Sequence, residues 1–177
     1  MHNQRKAYLY GLVTVLLWST VASAFKLSLR HLDVAQLLLY ASGVSILVLG
    51  GLLIGQGKVG LVLNCSKREY AQSAGLGLLN PFLYYLVLFK AYELLPAQEA
   101  QPLNYTWALT LAYLSIPLLK QKIGWNEIVA GLVSYSGVLV IATRGDLLGL
   151  QFSNPFGVAL ALGSTVIWAL YWIFNAR

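Results

Sequence analysis

The chain has 177 residues, of which 58% are apolar and only 10% are charged, and its formal net charge is +6. A soluble domain of this length needs a polar surface, so the composition excludes one and indicates a surface that faces lipid. The positive charge does not indicate nucleic-acid binding, because the basic residues lie at the ends of apolar segments and do not share one face.

Six long uncharged segments follow one another along the chain. About 20 helical residues cross a hydrocarbon core of roughly 30 Å. Five segments reach or approach that length, and the fifth in order does so when Gly124, Trp125 and Asn126 are included. We therefore predict an all-α, polytopic transmembrane helical bundle of six spans, at residues 7–25, 34–57, 70–89, 100–119, 128–143 and 147–176.

The charges between the spans predict the orientation of the chain. With the N-terminus inside, eight of the twelve Lys and Arg residues lie on the cytoplasmic side, three lie outside, and Lys90 lies within a span. Loops rich in Lys and Arg stay in the cytoplasm. We predict a multi-pass protein of the inner (cytoplasmic) membrane with a cytoplasmic N-terminus.

The first span carries Trp18, Ser19 and Thr20 near its middle. An aromatic ring beside two hydroxyls suits the wall of a binding site, although Ser and Thr also bond back to their own helix. Trp18 and Ser19 are therefore candidate substrate-binding residues. Lys26, at the outer end of this span, either attracts anions or anchors the helix at the headgroups.

Asn80 and Pro81 interrupt the third span, and Tyr84 follows one turn later. Proline in a helix predicts a kink. A polar residue at this depth either lines a cavity or belongs to a packing hinge. Asn80 and Tyr84 are candidate substrate-binding residues.

Lys90 is the basic residue inside a span, close to its outer end. Glu93, three residues later, can neutralise it, and Glu99, beyond the turn at Pro96, is a second candidate partner. One interpretation is a lysine that extends to the headgroups and forms a salt bridge. The other is that Lys90, Glu93 and Glu99 bind an anionic group or couple transport to protons.

The fourth span holds a stripe of polar residues. Gln98, Gln101 and Tyr105 follow helical spacing, Asn104 adjoins them, and Pro102 frees a carbonyl group. We predict that Gln98, Gln101, Asn104 and Tyr105 line a transport pathway. The alternative is polar contact between helices.

Small residues at helical spacing predict close helix contacts in three spans. They are Gly43, Gly50, Gly51 and Gly55 in the second span, Ala130, Ser134 and Gly137 in the fifth, and Gly157, Ala161 and Thr165 in the sixth. Asn154 followed by Pro155 predicts the N-terminus of the last helix. We interpret the remaining tryptophans as interface or packing residues: Trp107, Trp125, Trp168 and Trp172.

The number of spans suggests an internal repeat. A unit of five spans that is repeated in tandem must enter the membrane from the opposite side, and Thr-Val precedes a tryptophan both at 14–18 and at 165–168. We therefore predict a first five-span unit at residues 1–145 and, at 146–177, the incomplete start of a second, inverted unit.

These segments resemble the EamA-domain family of the drug/metabolite transporter superfamily. The resemblance rests on Trp18-Ser19-Thr20 with Lys26, on the hairpin at residues 91–119, and on the glycine-bearing fifth span at 127–145. An arginine common in the family's second span is absent at 40–42, and Lys120-Gln121-Lys122 replaces a glutamate after the fourth. The resemblance implies two inverted five-span halves around a central cavity, of which this chain holds the first half and one further span.

The predicted function is that of a secondary transporter, which moves a small metabolite, amino acid or drug by alternating access. Its expected partners are the lipid bilayer, a small-molecule substrate, and a proton or counter-substrate. The alternative is a non-transporting subunit or half-transporter that pairs with a second chain or forms a dimer. We expect no enzyme, cofactor or metal, because no aspartate lies within a span and His2 and His31 lie far apart outside the spans.

Overall fold

The computed structural model describes residues 2–147 and 153–176, and all regular structure within these ranges is helical. A kinked segment, Leu78–Leu83, joins the fourth and fifth α-helices. The α-helices are α1 His2–Ser28, α2 Val34–Gly55, α3 Val59–Leu63, α4 Lys67–Gly77, α5 Tyr84–Leu94, α6 Ala97–Tyr105, α7 Trp107–Leu119, α8 Trp125–Ala142 and α9 Pro155–Asn175.

Several of these helices are long and apolar enough to cross a membrane. In the described part of the chain there are four, at Gln4–Ser28, Val34–Gly55, Lys67–Leu94 and Pro155–Asn175, and the apolar helix Trp125–Ile141 is shorter. The chain is therefore a multi-pass helical membrane protein. The predicted fourth span is not one helix, because it is divided at Thr106 into α6 and α7, and the total of six spans stays a prediction.

Proline accounts for the break in the third span. Asn80 has extended backbone angles, φ −147° and ψ 120°, immediately before Pro81, as expected because the proline ring excludes the helical conformation of the preceding residue. The predicted kink in the third span is therefore present. At the break in the fourth span, the Thr106 N–H reaches Leu103 O at 3.3 Å.

Side-chain caps fix where several helices begin. Asp33 caps α2 in a reciprocal arrangement with Gln36, and Ser66 caps α4 in the same way with Glu69. The side chain of Asn154 accepts a hydrogen bond from Gly157 N at 2.9 Å, and Pro155 occupies the first turn of α9. The predicted start of the last helix is confirmed.

The packed centre lies where α5, α6 and α9 meet. Ala91, Ala100, Leu103 and Ala161 are completely buried there. Gly157 permits this approach, since an ideal Cβ at that position would lie 2.8 Å from Leu95 Cγ. The predicted small-residue face of the last span therefore packs closely against its neighbours.

The prediction that the small residues of the fifth span form a packing face is wrong. Ala130 and Ser134 are exposed, and nothing lies within 4 Å of an ideal Cβ at Gly137. The close approach occurs instead at Gly131, which meets the hydroxyl of Tyr113 on α7. At this position only a glycine leaves room for the Tyr113 side chain.

Candidate functional site

A cavity of about 300 Å³ lies between α1, α5, α6, the start of α7 and α9. Most of its wall is aromatic, its polar side chains other than tyrosines are Thr20, Gln101 and Asn104, and none of its lining residues is charged. We call it the aromatic cavity. The aromatic residues that line it are Trp18, Phe25, Tyr84, Tyr85, Tyr92, Tyr105, Trp107 and Trp168.

A more open and more polar groove of about 700 Å³ adjoins this cavity between α1, α6 and α8. Gln98, Pro102 and Ser134 line this α6 groove. Gln101 and Tyr105 line both spaces, so the polar stripe predicted for the fourth span forms their common border.

Contacts between rings hold the aromatic wall in place. Phe25 meets Phe89 edge-on with ring centroids 4.7 Å apart, and it meets Tyr92 in the same way at 5.7 Å. Tyr84 lies 4.6 Å from Trp168 between ring centroids. Edge-on and tilted arrangements are the favoured geometries for aromatic pairs, so α1, α5 and α9 present a preformed aromatic surface.

A chain of buried hydrogen bonds joins α5, α6 and α9 beside the cavity. The Tyr84 hydroxyl donates to Asn104 Oδ1 at 3.2 Å, and Asn104 Nδ2 donates to Ser164 Oγ at 3.0 Å. Ser164 Oγ donates in turn to Ala161 O at 2.6 Å. Buried polar groups need such partners, and here the partners also fix the rotation of α9 relative to the cavity.

Gln101 offers free polar capacity to a ligand. Its Nε2 donates to the Tyr105 hydroxyl at 3.0 Å, and a glutamine side chain has a second N–H and a carbonyl acceptor beyond that bond. The side chain is half-buried and borders both spaces. It can therefore bind an ammonium or carboxylate group of a ligand within the aromatic wall.

The structure brings together only part of the predicted substrate-binding set. Trp18, Tyr84, Gln101, Asn104 and Tyr105 line the aromatic cavity, and Gln98 lines the α6 groove.

Ser19 and Asn80 do not belong to this group. Ser19 is exposed, and its hydroxyl donates to Leu16 O of its own helix at 2.8 Å. Asn80 precedes Tyr84 by one turn but is not among the residues that line the aromatic cavity. The neighbour of Ser19, Thr20, takes the place in the cavity wall that was predicted for Ser19.

The predicted charged residues are divided between two sites. Lys90 Nζ pairs with Glu93 Oε1 at 3.0 Å on an exposed surface. Glu99 is buried and accepts a hydrogen bond from Arg144 Nε at 2.7 Å and another from Ser153. Lys90 and Glu99 are therefore not partners, because the first turn of α6 directs Glu99 toward the segment after α8.

Lys26 makes an interaction that the sequence did not predict. Its Nζ donates to Tyr92 O at 2.6 Å, Leu95 O at 2.8 Å and Glu93 O at 3.3 Å. These carbonyls end α5, where the helix dipole favours a cation. Because Phe25 and Tyr92 both line the aromatic cavity, this contact holds α1 against α5 beside the site.

The aromatic residues of the wall outside the predicted set are Phe25, Tyr85, Tyr92, Trp107 and Trp168. Tyr92 could have been found from Tyr84, because Tyr84, Leu88 and Tyr92 repeat every four residues and share one face of α5. Trp168 follows its Thr-Val pair by one residue fewer than Trp18 does, so the repeat does not align the two tryptophans. The structure places both tryptophans in the wall of one cavity.

A multi-pass helical protein with a preformed cavity of solute size among its helices has the architecture of a membrane transporter. Residues 5–143, more than three quarters of the chain, match the EamA-like transporter family. The chain belongs to this family, which confirms the resemblance found in the sequence.

Two curated relatives are similar to parts of the chain. One, named an uncharacterized transporter in the sor 3′ region of Acidianus ambivalens, is 29% identical over 117 residues, which are 65% of this chain and 45% of the relative. The other is the aromatic amino acid exporter YddG of Ancylobacter novellus, 27% identical over 177 residues, which are 99% of this chain and 60% of the relative. The chain therefore spans about half of the length of these relatives. No solved structure matches it.

Proposed function

We propose that the chain contributes the substrate site of a secondary transporter for small organic solutes that carry an aromatic ring, aromatic amino acids first among them. The observation that carries this proposal is the aromatic cavity, which has eight aromatic residues and no charged residue in its wall. Aromatic pairs gain energy beyond the area they bury, so such a wall favours a flat ring over an aliphatic side chain.

The size and polarity of the cavity support this substrate class. Small-molecule sites typically begin at about 300 Å³ and combine apolar walls with a few polar groups, and the aromatic cavity has about this volume, with Gln101 and Asn104 in its wall. A relative with 27% identity is named an aromatic amino acid exporter, which agrees with the proposed class.

The proposed arrangement has six spans, a cytoplasmic N-terminus and a location in the inner membrane. In it, α6 and α7 together form one broken span and α8 forms a short one. Residues 1–145 are the first unit, and 146–177 begin an inverted second unit whose movement against the first gives alternating access. Irregular backbone at membrane depth is tolerated where it lines a cavity, and the break at Thr106 borders the α6 groove.

The charged residues have different proposed roles. The exposed pair of Lys90 and Glu93 lies at an aqueous or headgroup surface and stabilises α5 locally. We assign coupling to a proton or counter-substrate to Glu99, because it is the buried carboxylate of the predicted set.

Counterflow in proteoliposomes tests the substrate. Vesicles loaded with unlabelled L-phenylalanine should accumulate labelled L-phenylalanine, L-tyrosine and L-tryptophan, and L-leucine and L-lysine should compete weakly. Gln101→Ala should lower the apparent affinity for the amino acids. Equal competition by L-leucine, or no exchange of any aromatic amino acid, would contradict the proposal.

The second candidate function is that of a half-transporter that acts with another chain or as a dimer. It is favoured by α1 and α2, in which only 6% and 11% of the span residues are buried. Analytical ultracentrifugation in detergent tests the dimer, since a dimeric half-transporter sediments as a complex of two chains and a transporter that acts alone sediments as a monomer.

A further inference from the structure

The indole nitrogen of Trp168 is a buried donor without a hydrogen-bond partner. Among the described residues, Trp168 Nε1 is the buried side-chain polar atom for which no partner is present. The great majority of buried polar atoms in proteins are paired. An indole N–H is a donor only, so Trp168 can be satisfied only by an acceptor that comes to it.

The rings packed around Trp168 do not supply this acceptor. The Tyr84 ring lies 4.6 Å from the Trp168 ring between centroids, and the Trp107 and Tyr171 rings lie at 6.1 and 6.2 Å. Trp107 has no oxygen, and neither the Tyr84 nor the Tyr171 hydroxyl accepts a hydrogen bond from Trp168 Nε1. The Tyr84 hydroxyl donates instead to Asn104 Oδ1.

The ring of Trp168 nevertheless forms part of the wall of the aromatic cavity. The helix that carries this ring is held by hydrogen bonds one turn earlier in α9. Ser164 accepts from Asn104 of α6 at 3.0 Å, and Thr165 and Thr110 of α7 share a hydrogen bond of 2.9 Å. A ligand in the cavity therefore meets a tryptophan whose helix is held from two sides.

We propose that Trp168 is a specificity-determining residue of the transport site: its ring stacks on the solute and its indole N–H donates a hydrogen bond to the solute carboxylate. This inference rests on the proposed function. The nitrogen is shielded from solvent in the structure, so the indole turns toward the solute when the solute binds. Trp168 lies outside residues 5–143, the segment that matches the family. In the proposed site, α9 therefore contributes a residue from beyond the matched segment.

Two ligands that differ only in the carboxylate test this donor. L-Phenylalanine and phenethylamine share the ring and the amine, and only the first has an acceptor for Trp168. Binding is measured with the 177-residue chain in lipid nanodiscs. Trp168→Phe should weaken L-phenylalanine binding about tenfold, as expected for one buried hydrogen bond, and change phenethylamine binding less than about threefold. Trp125→Phe is the matched control, because Trp125 is 73% exposed at the start of α8.

Indole ¹⁵N NMR on the wild-type chain gives a second readout that does not depend on the fold of a variant. The five tryptophans give one indole N–H signal each, and Trp→Phe substitutions at the other four positions identify the Trp168 signal by elimination. L-Phenylalanine should move that signal downfield, and phenethylamine should move it much less.

Three results would overturn the inference. If Trp168→Phe weakens both ligands equally, or if the Trp168 signal responds equally to both, Trp168 contributes ring contact only, and the proposed function stands. If the wild-type chain binds neither ligand, the proposed aromatic substrate is wrong and the inference falls with it.

Discussion

α2 and α9 are two apolar helices of nearly equal length, 22 and 21 residues, and they differ sharply in burial. In their most apolar windows, 11% of residues are buried in α2 and 39% in α9, although α2 is the more apolar of the two. Hydrophobicity therefore does not decide which helix is central. Lipid is as apolar as a leucine side chain, so helices associate through close packing and hydrogen bonds instead.

The two helices differ in the bonds that they form to other helices. α9 presents Gly157, Ala161, Ser164 and Thr165 to its neighbours, and all four are buried. Ser164 and Thr165 form hydrogen bonds to α6 and α7. α2 also has small residues, but nothing lies within 4 Å of an ideal Cβ at Gly43, Gly50, Gly51 or Gly55, so the helix contact predicted for the second span is not observed. Its Ser45 hydroxyl donates to Ala41 O of the same helix at 2.8 Å. Small residues alone therefore do not make a helix central, and α2 is left with an apolar surface for lipid or another span.

The largest effect on this contrast is expected from a large side chain at Gly157, where α9 lies close to Leu94 and Leu95. Gly157→Leu forces atoms into Leu94 and Leu95, which lie 3.1 and 2.8 Å from an ideal Cβ there. We expect a loss of about 3 kcal/mol in unfolding free energy, the upper part of the range for overpacking, measured as thermal unfolding in detergent. Gly50→Leu in α2 is the control, since nothing lies within 4 Å of its ideal Cβ. Equal losses at both positions would contradict the contrast.

Removal of the amide that bridges three helices should have the next largest effect. Asn104→Leu leaves the buried Tyr84 hydroxyl without its acceptor, at a cost of about 1–3 kcal/mol. The matched control in the exposed helix α2 is Ser45→Ala, which we expect to alter the unfolding free energy by less than about 0.5 kcal/mol. An Asn104→Leu variant as stable as wild type would show that the bond chain contributes nothing.

Lys26 tests the same contrast within α1, because Lys26 is half-buried and most other residues of α1 are exposed. Lys26→Met removes three hydrogen bonds to the carbonyls that end α5. We expect a loss of about 1–2 kcal/mol, in the range for hydrogen bonds to charged groups, and lower affinity for a ligand of the aromatic cavity. Arg30→Met removes the same charge from an exposed position and should leave both quantities unchanged. If Lys26→Met and Arg30→Met lower the unfolding free energy and the affinity equally, the effect depends on charge alone and the prediction is wrong.

The smallest effect is expected at the exposed ion pair. Lys90→Met breaks the contact with Glu93, and exposed pairs contribute about 0–1 kcal/mol. Arg144→Met, which deprives the buried Glu99 of its cation, should cost more. Thermal unfolding in detergent ranks the two, and a larger loss for Lys90→Met would contradict the assignment of Lys90 to the surface.

Local features of this fold could be predicted from the sequence because local physics determines them. The kink at Asn80-Pro81, the start of α9 at Asn154-Pro155 and the hairpin at Pro96 each depend on proline or on a capping side chain within a few residues. Tyr84, Gln101 and Asn104 were found because polar groups in an apolar span are expected to face protein rather than lipid.

Contacts between distant segments could not be predicted in the same way. Glu99 pairs with Arg144, 45 residues later, and helical spacing within one segment carries no information about that distance. Trp168 looks like an ordinary packing residue in its own helix. Its position in the cavity follows from the bonds of Ser164 and Thr165 to α6 and α7, which become apparent only when the helices are assembled.

The central claim, that the aromatic cavity is the solute site, is tested most directly by ligand protection of a thiol placed in its wall. Ala24 lines the cavity, and Ala24→Cys adds one small group there. The native Cys65, in the turn between α3 and α4, is an internal control in the same molecule. L-Tryptophan at saturating concentration should slow alkylation of the introduced thiol severalfold and leave the rate at Cys65 unchanged. Unchanged alkylation of the introduced thiol, under conditions where L-tryptophan is transported, would place the solute elsewhere and contradict the account.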